Sequence, residues 1–426
     1  ISGLTLGYYL NKRDKDFLIF ESNSVIGGNI FSKSKDGFIF ENGPNTVLLN
    51  NSILDKLISE LGLEKAIIYP NKNNNKRFLI KNGKLISIPI TVIQFLKSNI
   101  LNFCSKFRVL LEIFKKKSEK NVSVYDFFNR RFGKEFHDII IEPFLTGVYA
   151  GDTKNMSIKH VLNKVWKIEQ CNGSVILGLM KQKSKKNMPK SFNFKNGLRE
   201  LTNSIYSNFS DKIMLKSKIT LITKKDNLYE ISVNGKLKYQ CNKLVSTIPA
   251  YTLADIIFDN KLSLALKKIF YCPIYVLHLG LEKQKIKEDI GGFGVLTKPS
   301  DNKSFLGIIF NSRVFPHVAP ENQDLITVMA GGVRQSDLVK LGSRKLYDKI
   351  LRDVKQLICY EGKILMKNDY LWEKGIPQYS LNHDSLIKDV NFFQKRNKNF
   401  HLIGNYIKGI SVSDCILNAY NLSEKL

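Results

Sequence analysis

Cysteine is sparse and scattered in this chain of 426 residues. The six thiols (Cys104, Cys171, Cys241, Cys272, Cys359 and Cys415) include no pair at CxxC spacing and none beside a histidine at ligand spacing. That argues against a disulfide framework, a zinc site or an iron–sulfur cluster, and a reducing compartment fits best. Eleven prolines and 27 glycines are ordinary usage, so collagen-like and low-complexity classes fall as well. Long apolar runs are missing too. The stretch from Leu85 to Leu96 stops at Lys97, short of the roughly 18 residues a spanning helix needs. Acidic residues are the last deficit: 38 Asp+Glu stand against 66 Lys+Arg, a formal net charge of +28. Such an excess admits nucleic acid, an anionic membrane surface or an acidic small molecule as partner. The lysines are dispersed, no reader motif accompanies them, and Lys, Asn and Ile abound throughout, as in an AT-rich coding sequence. Nucleic acid is therefore the least favoured of the three.

What is present suffices for a buried core and two or three domains: 43% of residues are hydrophobic and 11% aromatic. The opening, from Ile1 to Glu21, reads as a helix followed by a short buried parallel strand, Phe17 to Phe20. Helix before strand implies a strand ahead of it, because βαβ units begin with one; the chain is expected to lack its first strand and to retain cofactor weakly. From Leu85 to Met188 the pattern turns helical, with Phe107, Leu110, Leu111 and Phe114 on one stripe beside Lys106, Arg108 and Lys115–Lys117. Short alternating strands follow from Lys212 to Pro249, with Asn234-Gly235 as a hairpin signal. Further strands, a helix near Ser343–Cys359, and a closing strand, glycine turn and helix complete the chain.

Chemistry concentrates early. Gly3 sits where the third glycine of GxGxxG lets a first helix approach its sheet, and Glu21 sits where an acid ending the second strand meets a ribose. The pair Gly27-Gly28 follows, then the tight turn Glu41-Asn42-Gly43-Pro44. Paired glycines there let backbone approach a pyrophosphate or flavin. None of the six histidines pairs with a Ser or Cys nucleophile in any motif, so no acid–base dyad is expected.

The order of acid, Gly-Gly and Gly-Pro resembles the flavoprotein family that contains protoporphyrinogen oxidase, amine oxidases and phytoene desaturases. Several stretches are similar to the protoporphyrinogen/coproporphyrinogen oxidase branch: KRFLIKNGKLISIP (Lys76–Pro89), EPFLTGVYAGD (Glu142–Asp152), KVWKIEQCNGS (Lys164–Ser174), GFGVLTKP (Gly292–Pro299), WEKGIPQYSLNH (Trp372–His383) and GNYIKGISVSDCI (Gly404–Ile416). The resemblance implies an α/β fold. Residues 1–75, 193–252 and 396–426 would form a discontinuous Rossmann-like FAD-binding domain. Residues 76–87 and 253–395 would form a mixed-sheet substrate domain, and 88–190 a helical membrane-associated insertion. It further implies FAD held by Gly3, Glu21, Gly27, Gly28, Asn29, Ile30, Phe31, Ser32, Gly43, Pro44, Ile219, Trp372, Asn405, Ile410, Ser411 and Val412. Asn29–Phe31 departs from relatives that carry a basic residue there.

For substrate, the resemblance points to Arg77 or Lys81 as a propionate anchor, with Gly147 and Phe310 or Phe315 as walls. Arg77 is preferred because its fork pairs bidentately with a carboxylate. No metal is implied. The implied reaction is FAD-dependent oxidation of protoporphyrinogen IX by O2, giving H2O2, with coproporphyrinogen III as the nearest alternative. An amine oxidase or carotenoid desaturase is more distant, and a basic nucleic-acid-binding protein more distant still. A porphyrinogen, O2, an anionic membrane surface and a second copy of the chain in a homodimer are the implied partners. The implied location is the cytoplasm, at the inner face of the cell membrane.

Overall fold

The structure, a computed structural model, describes residues 1–74, 76–89, 92–181 and 190–426. Helix Ser2–Asn11 buries Leu4, Leu6, Tyr8 and Tyr9. Its glycines mark the closest approaches: a Cβ on Gly3 would come 3.0 Å from Thr247 Oγ1, and one on Gly7 2.7 Å from Ile19. A side chain at either would push the helix off the strands beside it. The strand that follows is shorter and wetter than its apolar run predicts. Only Ile19–Phe20 pairs, parallel to Ile213–Met214, and a two-residue ladder leaves Leu18 51% exposed. A second parallel pair, Leu244–Ser246 with Phe400–Leu402, leads into the last helix, Val412–Ser423. That helix packs back on the first through Leu6, Ala419 and Leu422. The Asn234-Gly235 turn joins Leu228–Val233 to Leu237–Cys241 with both residues at positive φ (52° and 72°), the geometry that asparagine and glycine tolerate best.

The largest sheet has seven strands, in the order Ile364–Pro377, Tyr271–Glu282, Gln323–Gly331, Gly307–Ile309, Gly294–Leu296, Arg77–Lys81, Lys84–Ser87. All neighbours are antiparallel except Gly294–Leu296 with Arg77–Lys81. Side chains alternate across a strand. One face therefore carries Phe78, Ile80, Tyr275, Leu277, Leu279, Val295, Ile308, Ile326 and Val328, sealed by Leu346, Ile350 and Val354 of the helix Ser343–Leu357. The register puts Arg77, Leu79, Gly294, Leu296, Gly307, Ile309, Thr327, Met329, Val276, His278, Tyr370 and Trp372 on the other face.

Helices dominate the described part of 92–181. Their anchor is Arg131, fully buried between the equally buried carboxylates of Glu112 and Glu169. Arg131 Nη2 also donates to Gly173 O (2.6 Å), and Glu112 accepts from Val175 N (2.9 Å). This network interrupts the helix on which the apolar stripe is predicted. The helix Phe103–Leu110 gives way to a 3-10 turn, Leu111–Phe114, that points Glu112 inward. Phe107, Leu110, Leu111 and Phe114 then face outward, at 55%, 57%, 38% and 77% exposure. Of the basic run Lys181–Lys186, only Lys181 lies within the described residues, and among those no helix is long and apolar enough to cross a membrane.

Candidate active site

Glu21 ends its strand with the carboxylate folded over its own turn: Oε1 accepts from Asn23 N (2.8 Å), Asn23 Nδ2 (3.0 Å) and Ser22 Oγ (3.3 Å). Backbone at 216–217 is laced to the same turn, with Lys216 N donating to Asn23 O and Ser217 N to Glu21 O. Ile219 lies two residues further on, half-buried at the start of its strand. Gly27 and Gly28 follow with φ of +107° and +59°. A Cβ on Gly28 would meet nothing within 4 Å, whereas one on Gly43 would overlap Asn29 O. The Gly43-Pro44 turn thus lies against the Asn29 carbonyl, and the Gly28 backbone stands bare to open space.

The other residues of this loop divide. Asn29 is exposed and Phe31 half-buried. Ile30 enters a core shared with Leu4, Ile26 and Val412, which places the start of the last helix beside the loop. Ser32 Oγ donates to buried Glu41 (2.7 Å) and accepts from Arg199 N (2.9 Å). Neither the Ile30 nor the Ser32 side chain is left for a ligand, and the Ile30 N–H is itself committed to Gly27 O (3.2 Å).

Asn42 connects this loop to the sheet. Its Oδ1 accepts from His278 Nε2 (3.2 Å) and Asn368 Nδ2 (3.3 Å), and its carbonyl accepts from Trp372 Nε1 (2.7 Å). His278 is buried, and burial holds its pKa down to about 3. It is neutral and takes the Thr327 hydroxyl (2.9 Å) on Nδ1. Tyr370 lies 4.7 Å from Trp372 and 6.0 Å from Phe31 between ring centroids. Asn42 Nδ2 is buried with no partner among the described residues, a free donor of the kind a ligand acceptor satisfies.

Beyond Asn42, the same sheet face is incompletely covered. Leu296, Ile309 and Met329 are half-buried, although their strand neighbours on the opposite face, Val295, Ile308 and Val328, are 1%, 2% and 0% exposed. These three make an apolar floor. The helix Glu142–Tyr149 approaches from the far side, where a Cβ on Gly147 would lie 2.5 Å from Leu296. It is pinned to the sheet by an ion pair between Glu142 and Arg334, whose Nη2 also donates to Thr146 Oγ1 (2.9 Å). Arg77 borders the floor with its guanidinium over the Phe293 ring (5.2 Å). Among the described residues its side chain forms no hydrogen bond or ion pair.

The remaining predicted substrate residues lie elsewhere. Lys81, at the far end of the same strand, is committed to Asn99 O. Phe310 sits in the core on the opposite face, and Phe315 packs with Phe38, Phe40 and Val318. Neither aromatic reaches the floor: Phe310 is one step from Ile309, which reverses the face, and Phe315 lies beyond the strand, between the short helix Asn311–Val314 and the turn Pro316–Val318. Ile309, Phe310's neighbour, is the residue that does. Asn42, Tyr370, Leu296, Ile309 and Met329 escaped sequence reading. Alternation through Gly294–Leu296 and Gly307–Ile309 is the signal that could have found them, once their pairing was known.

The last contributor is the loop Gly404–Ser411. Gly409 takes φ +70°, and a Cβ there would overlap Asp414. Ser411 caps the final helix, accepting from Asp414 N (3.1 Å) and donating to Asp414 Oδ2 (2.6 Å). Ile410 is half-buried and Val412 buried. The helix start therefore aims its positive end toward the region of the bare glycines.

The family of flavin-containing amine oxidoreductases matches residues 1–425. Protoporphyrinogen oxidase 2, chloroplastic/mitochondrial, of Arabidopsis thaliana is 29% identical over 98% of this chain and 90% of its own length. Coproporphyrinogen III oxidase of Bacillus subtilis is 23% identical over 98% and 94%. In fold, the chain is similar to a crystal structure assigned to protoporphyrinogen oxidase from Exiguobacterium sp. 255-15, with TM-score 0.86 and 20% identity over 100% of this chain and 96% of that one. It is also similar to reduced UDP-galactopyranose mutase, with TM-score 0.75 and 15% identity over 99% and 92%.

Proposed function

This chain belongs to the flavin-containing amine oxidoreductases, and on that footing we propose that it oxidises protoporphyrinogen IX to protoporphyrin IX. The observation that carries the reading is the half-open apolar floor of Leu296, Ile309 and Met329 with unpaired Arg77 at its border. A porphyrinogen is a broad apolar ring with carboxylates at its edge, and apolar walls with one convergent cation suit it. The relatives named for protoporphyrinogen and coproporphyrinogen oxidation support the same substrate class.

FAD fits the residues present. Gly28 has bare backbone on the loop whose Ile30 shares a core with Val412 at the start of the last helix, and Asn42, with Nδ2 unpartnered among the described residues, is tied to the same loop by its N–H donating to Phe31 O (2.9 Å). Glu21 would take the ribose, the Gly27–Ser32 backbone the phosphates and ring, and Asn405, Ile410 and Ser411 the ring's far edge. When bound, FAD would supply three successive two-electron oxidations, being reoxidised after each by one O2 to give one H2O2, which together remove the six electrons and six protons that separate porphyrinogen from porphyrin. The protein's part is placement. Arg77 pairs a propionate, the floor seats the macrocycle and excludes water, and Gly147 leaves room above Leu296. Neutral His278 fixes Asn42 without adding a charge to the site.

An aerobic assay of the FAD-loaded protein tests this, following porphyrin fluorescence with both porphyrinogens and peroxide with simple amines. Turnover of protoporphyrinogen above coproporphyrinogen is the expected result. Amine turnover without porphyrinogen turnover would replace the reading with an amine oxidase.

The helical part at 88–190 is proposed to rest on an anionic membrane surface at the cytoplasmic face. Phe103 and Phe114 are 84% and 77% exposed, and Leu179 and Met180 are 54% and 73% exposed, with Arg108, Lys115–Lys117 and Lys181 on the same helices and turns. Exposed apolar side chains among cations suit an anionic interface. Flotation with vesicles containing anionic lipid at low salt should recover the protein, and its absence from the lipid fraction would remove this part of the reading.

A further inference from the structure

Behind the loop Gly404–Ser411 lies a group of buried titratable rings that the reaction does not use. Tyr379 is 1% exposed and donates its hydroxyl to Asn405 O (2.5 Å). His383 is 3% exposed, and its Nε2 meets Ile407 O at 3.2 Å. A carbonyl can only accept, so this nitrogen carries the proton. Burial lowers the His383 pKa to about 4, which keeps the ring neutral and its tautomer fixed. Its ring lies 4.5 Å from Tyr379 on one side and 4.5 Å from His160 on the other. His160 Nε2 and Lys159 Nζ both meet Asp384 Oδ1, at 2.9 and 2.8 Å. Tyr379 itself is held through its carbonyl, which accepts from Ser157 N (2.9 Å). Two alternate carbonyls of one glycine-bounded loop are thus each fixed by a ring donor.

We propose that Tyr379 and His383 are positioning residues that clamp the 404–411 loop in the conformation that receives the flavin. The proposal rests on the flavin reading above. Without these donors the loop keeps Ile407 N on Gly404 O and Asn418 Nδ2 on Lys408 O, but it loses the two bonds that hold the Asn405 and Ile407 carbonyls between Gly404 and Gly409.

Tyr379→Phe and His383→Phe each remove a donor while keeping a ring in the stack; His383→Gln restores an N–H donor. Amide exchange in the apoprotein and FAD titration followed by the flavin absorption band are the two readouts. Losing one buried hydrogen bond predicts exchange across 404–411 about fivefold faster and FAD bound about fivefold more weakly, with an altered flavin band. His383→Gln should recover part of the loss. Equal exchange and equal affinity in both Phe variants would overturn the clamp. So would protection lost evenly along the whole chain, because that is the signature of a merely structural role. A parent protein that takes up no FAD would refute the flavin reading and, with it, what the clamp is for; a parent that takes up FAD beside unchanged variants would refute the clamp alone.

Discussion

Replacing Arg77 by methionine removes the one cation at the border of the apolar floor that has no partner among the described residues. In the free protein the guanidinium contributes only its contact with the Phe293 ring. Methionine keeps an apolar stem there, so the stability change should stay near 0.5 kcal/mol. With substrate bound, the fork exchanges water for a carboxylate, and a charge-assisted bond of this kind contributes about 1.5–3 kcal/mol. At 1.4 kcal/mol per tenfold, that corresponds to a loss of roughly 10- to 150-fold in kcat/KM. The propionate does not react, so its binding is equal in ground and transition states and the loss should fall on KM, with kcat nearly unchanged. Arg77→Lys keeps the charge but not the fork and should fall between the two. Steady-state porphyrin fluorescence with FAD-loaded protein measures both constants, and thermal melting checks the fold. A KM within twofold of the parent in Arg77→Met, with melting unchanged, would refute Arg77 as the anchor and return the choice to other cations.

Arg131→Met leaves Glu112 and Glu169 buried without their common partner and should cost about 3–5 kcal/mol in a urea titration; a midpoint shift worth less than 1 kcal/mol would mean that this network does not anchor the helical part. Gly28→Ala adds a methyl at φ +59° where nothing stands within 4 Å. It should lower stability by about 1–2 kcal/mol through backbone strain and weaken FAD at least tenfold by titration; unaltered FAD affinity would show that the glycine faces no ligand. His278 and His383 have folded pKa values down near 3 and 4, against about 6.5 unfolded. The unfolded chain then binds more protons between those limits, so stability is full above pH 6.5 and falls with acidification, by about 1.4 kcal/mol per pH unit for each ring at the steepest. Denaturation midpoints between pH 7 and 5 should show the fall, with a shallower slope in His278→Asn. A flat parent profile would place both rings in contact with water.

Local features were well signalled by the residues. Asn234-Gly235, the opening helix, a strand through the apolar run Ile274–Glu282 and a helix near Ser343–Cys359 follow from turn chemistry and hydrophobic period, and the structure has each of them, the last two as Tyr271–Glu282 and Ser343–Leu357. The departures arise where a distant partner intervenes. The strand after the first helix pairs over only two residues because its neighbour, Ile213–Met214, is no longer. The stripe from Phe107 to Phe114 reads as one continuous helix, yet the helix stops at Leu110, and in the 3-10 turn that follows Glu112 points inward to Arg131 of another helix while the apolar residues stay out.

The same division runs through the site. The glycines, Glu21 and the capped last helix were readable because each performs a backbone task that only certain residue types allow, and such tasks are written in short spacings. The sequence by itself thus determined the α/β class and narrowed the substrate cation to Arg77 or Lys81; that the Lys81 side chain is committed to Asn99 O, and the Arg77 side chain at the apolar floor to no polar partner among the described residues, was decided by the tertiary structure. Which aliphatic residues form that floor was a different kind of question. Ile309 and Phe310 are equally apolar, and only strand pairing with Gly294–Leu296 and Gln323–Gly331 decides which of them faces the opening. The pairing of Asn42 with His278, of Tyr379 with Asn405 and of His383 with Ile407 joins residues 24 to 236 positions apart. Contacts at that range follow from the packed topology, because a side chain's face and reach are settled only when the strands and helices around it are in place.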